Sequence, residues 1–171
     1  MKTTFAKTLT ELALKDKRIV LLTGDFCFGM FNQLKAERPL QYINCGVAEQ
    51  SMVGIAAGMA IAGMRPVVYT ITPFLVRRAY EQIVLDVDEQ NLPVVLVGFD
   101  DYPKDGPTHR CPEAESLVKL LKNTYWTQPT NGEDASYCLK DALARAKPSF
   151  IRLRNEPKPV ARQWPKDGYE A

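Results

Sequence analysis

The chain has 171 residues, 46% of them hydrophobic, and this length and composition suit one globular domain with a buried core. Its 22 basic and 20 acidic residues give a formal net charge of +2 without a long run of like charge, so neither a nucleic-acid-binding nor a membrane-surface protein is indicated. One histidine excludes any metal site or catalytic triad that needs two.

In chain order, apolar runs rich in β-branched residues alternate with segments of helical periodicity. The predicted strands are RIVLLTG, YIN, PVVYTI, PVVLVGF, YWTQ and SFIRL. The predicted helices cover approximately residues 4–14, 31–37, 48–62, 74–88, 112–121 and 132–146. This alternation is typical of the α/β class. We therefore predict a doubly wound, mainly parallel sheet of about six strands with helices on both faces.

Several patterns bear on location and domain organisation. The N-terminal segment MKTTFAKTLTELALKD alternates polar and apolar residues, unlike a signal peptide. The longest apolar stretch, residues 52–64, is shorter than the ~20 residues of a membrane-spanning helix. We expect a cytoplasmic protein with four reduced, mostly buried cysteines that form no CxxC pair. The change of composition after Arg154 predicts a domain over residues 1–154 and a tail over 155–171.

One carboxylate, Glu49, stands at the start of an almost wholly apolar helix that is rich in small residues. A glutamate in a first turn has an ordinary structural role, because it interacts favourably with the helix dipole. The small residues between 54 and 60, however, let a sheet, a helix or a second chain approach closely. The loops TGDFCFGM, NCGVAEQ, TITPF and GFDDYPKDGPTHR each follow a predicted strand, so we expect them to converge at the edge of the sheet where ligands bind.

Three segments, GVAEQSMVGIAAGMAIAGMRPVVYT, FLVRRAYEQ and DGPTHR, together resemble the pyrimidine-binding domain of the transketolase family. That family includes 1-deoxyxylulose-5-phosphate synthase and the β subunits of 2-oxoacid dehydrogenases. The resemblance covers residues 4–154, and DGPTH points toward the transketolase and deoxyxylulose synthase branches.

The resemblance implies roles for several residues toward thiamine diphosphate and its substrates. Glu49 corresponds to the glutamate that hydrogen-bonds N1′ of the aminopyrimidine and favours the imino tautomer, whose nitrogen removes the proton from thiazolium C2. Phe74 corresponds to the aromatic residue that stacks on the pyrimidine, with a core phenylalanine as the alternative. Asp25 lies where family members approach the cofactor or the neighbouring subunit, although Gly-Asp after a strand is also a common turn.

The resemblance also implies which residues contact the substrate. His109 corresponds to the histidine that faces the carbonyl and hydroxyl groups of the substrate, and imidazole suits proton transfer there. Arg77 and Arg78 lie where the synthases carry an arginine that meets substrate phosphate, but this chain has one residue more between Phe74 and Tyr80. A solvated helix face is the competing interpretation for both arginines. The synthases also have a tyrosine where this chain has Ile71.

The family binds the diphosphate through Mg²⁺, with a Gly-Asp-Gly motif and an asparagine on a separate domain, and TGDFCFG is not that motif. No metal ligand is therefore predicted in this chain. We expect a split enzyme, in which a diphosphate-binding partner subunit holds Mg²⁺ and an α₂β₂ heterotetramer forms.

The leading hypothesis is transfer of a two-carbon ketol unit between sugar phosphates. Decarboxylative ligation of pyruvate, a 2-oxoacid, is the alternative within the family. A non-catalytic interaction subunit that retains the fold is a third possibility.

Overall fold

Six strands form one sheet in the computed structural model, which describes residues 1–25, 27 and 29–155. The strands are β1 (Ile19–Thr23), β2 (Tyr42–Asn44), β3 (Arg65–Ile71), β4 (Val95–Phe99), β5 (Tyr125–Thr127) and β6 (Ser149–Leu153). They lie in the order β2-β1-β3-β4-β6-β5, and every neighbouring pair is parallel. The predicted parallel sheet is confirmed. The predicted tail lies, apart from Asn155, outside the described residues.

The helices follow the predicted pattern, with one departure. They are α1 (Lys2–Lys15), α2 (Asn32–Glu37), α3 (Glu49–Ile61), α4 (Ala79–Gln82), α5 (Ala114–Lys119) and α6 (Gly132–Arg145). The predicted helix over 74–88 is continuous but not uniform, because π-helical turns Phe74–Arg78 and Ile83–Asp88 flank α4. No helix among the residues that the structure describes is long and apolar enough to span a bilayer.

Helices cover both faces of the sheet, as predicted for a doubly wound fold. On one face α1, α2 and α6 pack through Phe5, Leu34 and Leu139 against strand residues such as Tyr69 and Val97. The segment from α3 to α5 covers the other face. Its packing residues include Val53, Ala56, Leu75, Ile83 and Val118, which contact strand residues such as Leu96. Burial of each large side chain contributes about 1.5–3 kcal/mol, so the two clusters fix the helices on the sheet.

Gly98, in the central strand β4, allows an unusually close approach between the sheet and the chain after β3. A Cβ atom at this position would lie 2.7 Å from Thr72 Oγ1, 3.0 Å from Thr72 Cα and 3.1 Å from Phe150 Cζ. Thr72 comes two residues before Phe74. The absence of a side chain at Gly98 therefore helps to set where Phe74 enters its helical segment.

The four cysteines are free thiols, of which Cys27 and Cys111 are buried and Cys45 and Cys138 are half-buried. Burial raises the pKa of the Cys27 thiol to about 12 and that of Cys111 to about 11. Burial also raises the pKa of Cys45 and of Cys138. Because the thiolate is the nucleophile, all four are protonated and slow to react near neutral pH.

Iodoacetamide at pH 8 is expected to label Cys45 and Cys138 of the folded chain well before Cys27 and Cys111. The two buried thiols are both inaccessible and held in the protonated form, whereas the half-buried thiols are partly open to reagent. Mass spectrometry of tryptic peptides over a time course measures each rate. Urea-unfolded chain is the control, in which all four rates should converge; equal rates in the folded chain would contradict the burial described here.

Candidate functional site

The site lies at the carboxyl edge of the sheet, where β1, β2, β3 and β4 end. The strand order places β2 on one side of β1 and β3 on the other, so the chain reverses its direction of winding between β1 and β3. Ligands of open parallel sheets bind at such a switch point. The four loops singled out from the sequence leave these strand ends, as predicted.

Glu49 is the first residue of α3, and its side chain is only 5% exposed. Asn44, at the end of β2, helps to form the turn that leads to it: Asn44 Oδ1 accepts a hydrogen bond from the backbone N–H of Gly46 at 2.8 Å. Gly46 has φ of +68°, a conformation that favours glycine. The turn therefore directs the chain from the strand end into α3, with the carboxylate at the mouth of the helix.

Arg78 contacts both Glu49 and Phe74. Its Nη1 donates to Oε1 and Oε2 of Glu49, each at 3.1 Å, which makes an ion pair with a buried carboxylate. The guanidinium carbon lies 3.5 Å from the centroid of the Phe74 ring. A planar cation therefore lies between the acid and the face of the aromatic ring, an arrangement that is favourable on both sides.

His109 completes this group of side chains. Its ring lies edge-on to Phe74, with centroids 4.8 Å apart and an interplanar angle of 63°. His109 Nδ1 shares a hydrogen bond of 3.1 Å with the hydroxyl of Thr108. The ring is half-buried and belongs to the 3₁₀ turn Pro107–His109. Glu49, Arg78, Phe74 and His109 thus form one continuous chain of contacts.

The other sequence candidates lie apart from this group. Arg77 donates from Nε to Oε1 of Glu113 at 2.8 Å, and its Nη2 bonds the same oxygen, so it faces the start of α5. Asp25 is exposed in the turn after β1 and makes no hydrogen bond or ion pair with these residues within the described part of the chain. Ile71 is buried at the end of β3. Of the two arginines, only Arg78 faces Glu49.

A pocket of about 540 Å³ opens beside Glu49. It is lined by Val47, Ala48, Glu49, Gln50, Ser51 and Arg78. Among residues 1–25, 27 and 29–155, no group of three His, Cys, Asp or Glu side chains is placed to hold a metal ion. A second pocket, of about 340 Å³, is lined by residues that include Ile19 and Arg65 at the starts of β1 and β3, so it lies at the opposite edge of the sheet.

Sequence reasoning missed a buried ion pair that supports the His109 loop. Arg152, in β6, is 5% exposed, and its Nη2 lies 3.3 Å from Oδ1 of Asp101. Asp101 Oδ2 accepts from the backbone N–H of Cys111 at 3.0 Å, and the N–H of Tyr102 donates to the carbonyl of His109 at 2.7 Å. These contacts hold the two ends of the loop together. A charged residue inside the apolar strand SFIRL was the available signal, because a buried charge needs a partner.

The chain is a doubly wound α/β domain with an acid, an aromatic ring and a histidine at the carboxyl edge of its sheet, the edge where domains of this class bind ligands. The family described as "Transketolase, pyrimidine binding domain" matches residues 1–158, and this chain belongs to it. The family resemblance inferred from the three segments is therefore confirmed.

The curated relatives include 1-deoxy-D-xylulose-5-phosphate synthases. That of Syntrophus aciditrophicus is 37% identical over 153 residues, which is 86% of this chain and 23% of the relative. That of Acaryochloris marina is 41% identical over 133 residues, which is 73% of this chain and 20% of the relative. The chain thus spans less than a quarter of the length of either relative.

Solved structures with the same fold include transketolases. A split gene transketolase, described as an inactive beta4 tetramer, matches with a TM-score of 0.82 and 26% identity over 92% of this chain and 51% of that one. The transketolase of Leishmania mexicana matches with a TM-score of 0.78 over 91% of this chain and 25% of that one. Its identity is 20%, so this second likeness shows the fold alone.

Proposed function

We propose that this chain is the pyrimidine-binding subunit of a thiamine-diphosphate-dependent, transketolase-like enzyme. The observation that carries the proposal is the contact group at the switch point: a buried Glu49 at the mouth of α3, with Phe74 and His109 beside it. Membership in the transketolase pyrimidine-binding family supports a thiamine-dependent role for these residues. A scaffold protein that only retained the fold has no need of this combination.

The side chains fit the aminopyrimidine of the cofactor. A planar group already lies between Glu49 and the face of Phe74, so the space suits a flat, nitrogen-containing ring. In the proposed complex Glu49 shares a proton with pyrimidine N1′ and Phe74 orients the ring by stacking, which is worth of order 1 kcal/mol. Bound there, thiamine diphosphate supplies a carbon nucleophile for the donor substrate.

His109 is proposed to face the substrate and to move protons at its carbonyl and hydroxyl oxygens. The Asp101–Arg152 pair supports this role by fixing the loop that carries the imidazole. Of the two arginines, Arg78 is proposed to serve the substrate, because it lines the pocket beside Glu49, whereas Arg77 faces Glu113 and receives no role. Asp25, exposed after β1, is proposed to contact the cofactor or the neighbouring subunit.

We assign the diphosphate and Mg²⁺ to a partner subunit that carries the Gly-Asp-Gly motif, in an α₂β₂ assembly. A split gene transketolase among the structural relatives supports this arrangement. Exposed apolar side chains support it as well, because Val47, Ile55 and Ile61, just before and along α3, are 73%, 44% and 66% exposed. A partner subunit packed on α3 would remove such side chains from water.

Ketol transfer between sugar phosphates is the reaction we propose. Decarboxylative condensation of pyruvate is the second candidate, and the two deoxyxylulose phosphate synthases described above as relatives favour it. The two reactions differ in their donor, because only the second releases CO₂.

The test is reconstitution with a candidate partner that carries the Gly-Asp-Gly motif. We expect calorimetry to detect Mg²⁺-dependent binding of thiamine diphosphate to the pair and not to this chain alone. Turnover with a ketose phosphate and an aldehyde, compared with pyruvate and the same aldehyde, then identifies the donor. A pair that assembles but neither binds the cofactor nor turns over either donor would instead indicate the non-catalytic subunit.

A further inference from the structure

Arg78 contacts both Glu49 and Phe74, and the resemblance to the family did not predict this contact. Its guanidinium is a flat group with N–H donors at its edge and a π-face. The edge donates to the Glu49 carboxylate, and the face lies on the Phe74 ring at 3.5 Å. An aminopyrimidine bound between the same two residues would use the same two kinds of contact.

We propose that Arg78 is a placeholder: in the cofactor-free chain its guanidinium occupies the position of the aminopyrimidine, and it must leave before the ring binds. This inference rests on the proposed function, since it concerns the same site. It extends that function, because it makes Arg78 a positioning residue that competes with the cofactor for Glu49 and Phe74.

The local backbone explains why Arg78, and not its neighbour, takes this position. Phe74 and Arg78 are the first and last residues of one π-helical turn. A π-helical turn closes over five residues, so the side chains at its two ends lie close together on one face. Arg77 points away, to Glu113. π-helical turns occur mostly as single turns within α-helices and are often found at functional sites.

The charge on Glu49 explains what the contact does. The carboxylate is 95% covered by protein, and a buried carboxylate without a partner is unfavourable. Arg78 supplies the partner until the cofactor arrives, and its flat guanidinium covers the face of Phe74 in the meantime. Cofactor binding must break this ion pair, so the pair weakens binding of the pyrimidine.

The test uses the full chain and a free pyrimidine, 4-amino-5-hydroxymethyl-2-methylpyrimidine, as the probe. His109 is the one histidine of the sequence and contacts Phe74, so its ring resonances in an NMR titration report on the stack. We expect Arg78→Ala to bind the probe about tenfold more tightly than the unchanged chain, because the competing cation is gone. Arg78→Lys should bind with intermediate affinity, since an ammonium retains the charge but cannot stack as a flat group.

Arg77→Ala is the matched control, because it removes a neighbouring arginine that does not contact Glu49, and its affinity for the probe should not change. In the absence of probe, Arg78→Ala should shift the His109 resonances and Arg77→Ala should not. Equal or weaker binding by Arg78→Ala, including no binding by any variant, would overturn the placeholder role of Arg78. The proposed function would then still be tested separately, by the reconstitution experiment. Tighter binding by Arg78→Ala in a chain whose partner complex is inactive would support the placeholder and contradict the proposed function.

Discussion

Replacing Glu49 by glutamine is expected to lower kcat of the reconstituted enzyme by roughly 10²–10⁴-fold, the usual contribution of a positioned acid–base group. Glutamine keeps the size of the side chain and can still hydrogen-bond to a ring nitrogen. It cannot exchange a proton with that nitrogen, so the proposed activation of the cofactor is lost. The measurement is kcat at saturating cofactor, with calorimetry to confirm that the variant is loaded.

Glu11→Gln is the matched control for this prediction, because Glu11 is an exposed acid in α1 on the opposite face of the sheet. Its kcat should equal that of the unchanged enzyme. Thermal unfolding of both variants separates loss of chemistry from loss of fold, which matters because Glu49→Gln also removes the charge that pairs with Arg78. A cofactor-loaded Glu49→Gln enzyme with normal kcat would defeat the catalytic assignment of Glu49.

Gly98→Ala is expected to lower the free energy of unfolding by about 3 kcal/mol, the upper part of the range for overpacking a core. The added Cβ would meet the backbone of Thr72 and the ring of Phe150, and a clash with backbone is not relieved by rotating a side chain. Because the displaced segment leads into Phe74, the affinity of the reconstituted enzyme for cofactor should fall as well. Urea unfolding followed by circular dichroism measures the stability.

Gly58→Ala provides the comparison within the same protein. Gly58 lies in α3 with no atom within 4 Å of the position of an added Cβ, and it is exposed. Alanine should therefore raise the free energy of unfolding by roughly 0.5–1 kcal/mol through helix propensity. If Gly98→Ala unfolded at the same urea concentration as the unchanged chain, the close approach of Thr72 to β4 would be wrong.

The architecture could be predicted because each strand is recognisable from the pattern of its own residues. Strands covered on both faces are apolar throughout, and β1 and β4 are buried at every position. The convergence of the loops also followed from the sequence, since the carboxyl ends of parallel strands meet at one edge of the sheet. The grouping of Glu49 with Phe74 and His109 depends on that topology, and family resemblance supplied the roles that we propose for the individual residues.

The π-helical turns were not predicted, although one signal was present. Leu75, Ala79, Ile83 and Val87 recur every four residues, and all four are fully buried. An α-helix turns once in 3.6 residues, so a strict four-residue repeat drifts around its surface unless wider turns compensate. The repeat therefore fits the wider turns of this segment, but the apolar stripe of an ordinary α-helix accommodates it as well, so it did not distinguish the two.

For a related reason, the sequence could not decide which of Arg77 and Arg78 faces Glu49. Adjacent residues of an α-helix point about 100° apart, so a one-residue change in the phase of the helix exchanges their surroundings. The phase here is set by the π-turn, which depends on packing against the sheet. The Asp101–Arg152 pair was hidden for a different reason, because its two residues are far apart in the chain and meet only through the strand order.

The Glu49–Arg78 pair leaves the mouth of the pocket electrically neutral. Its lining holds one acidic and one basic side chain, which cancel. A polyanion such as a diphosphate therefore gains no net electrostatic attraction from this pocket lining. In the proposed complex the cations that balance it would come from outside this pocket, so the force that captures the cofactor and the chemistry that activates it would be separated in space.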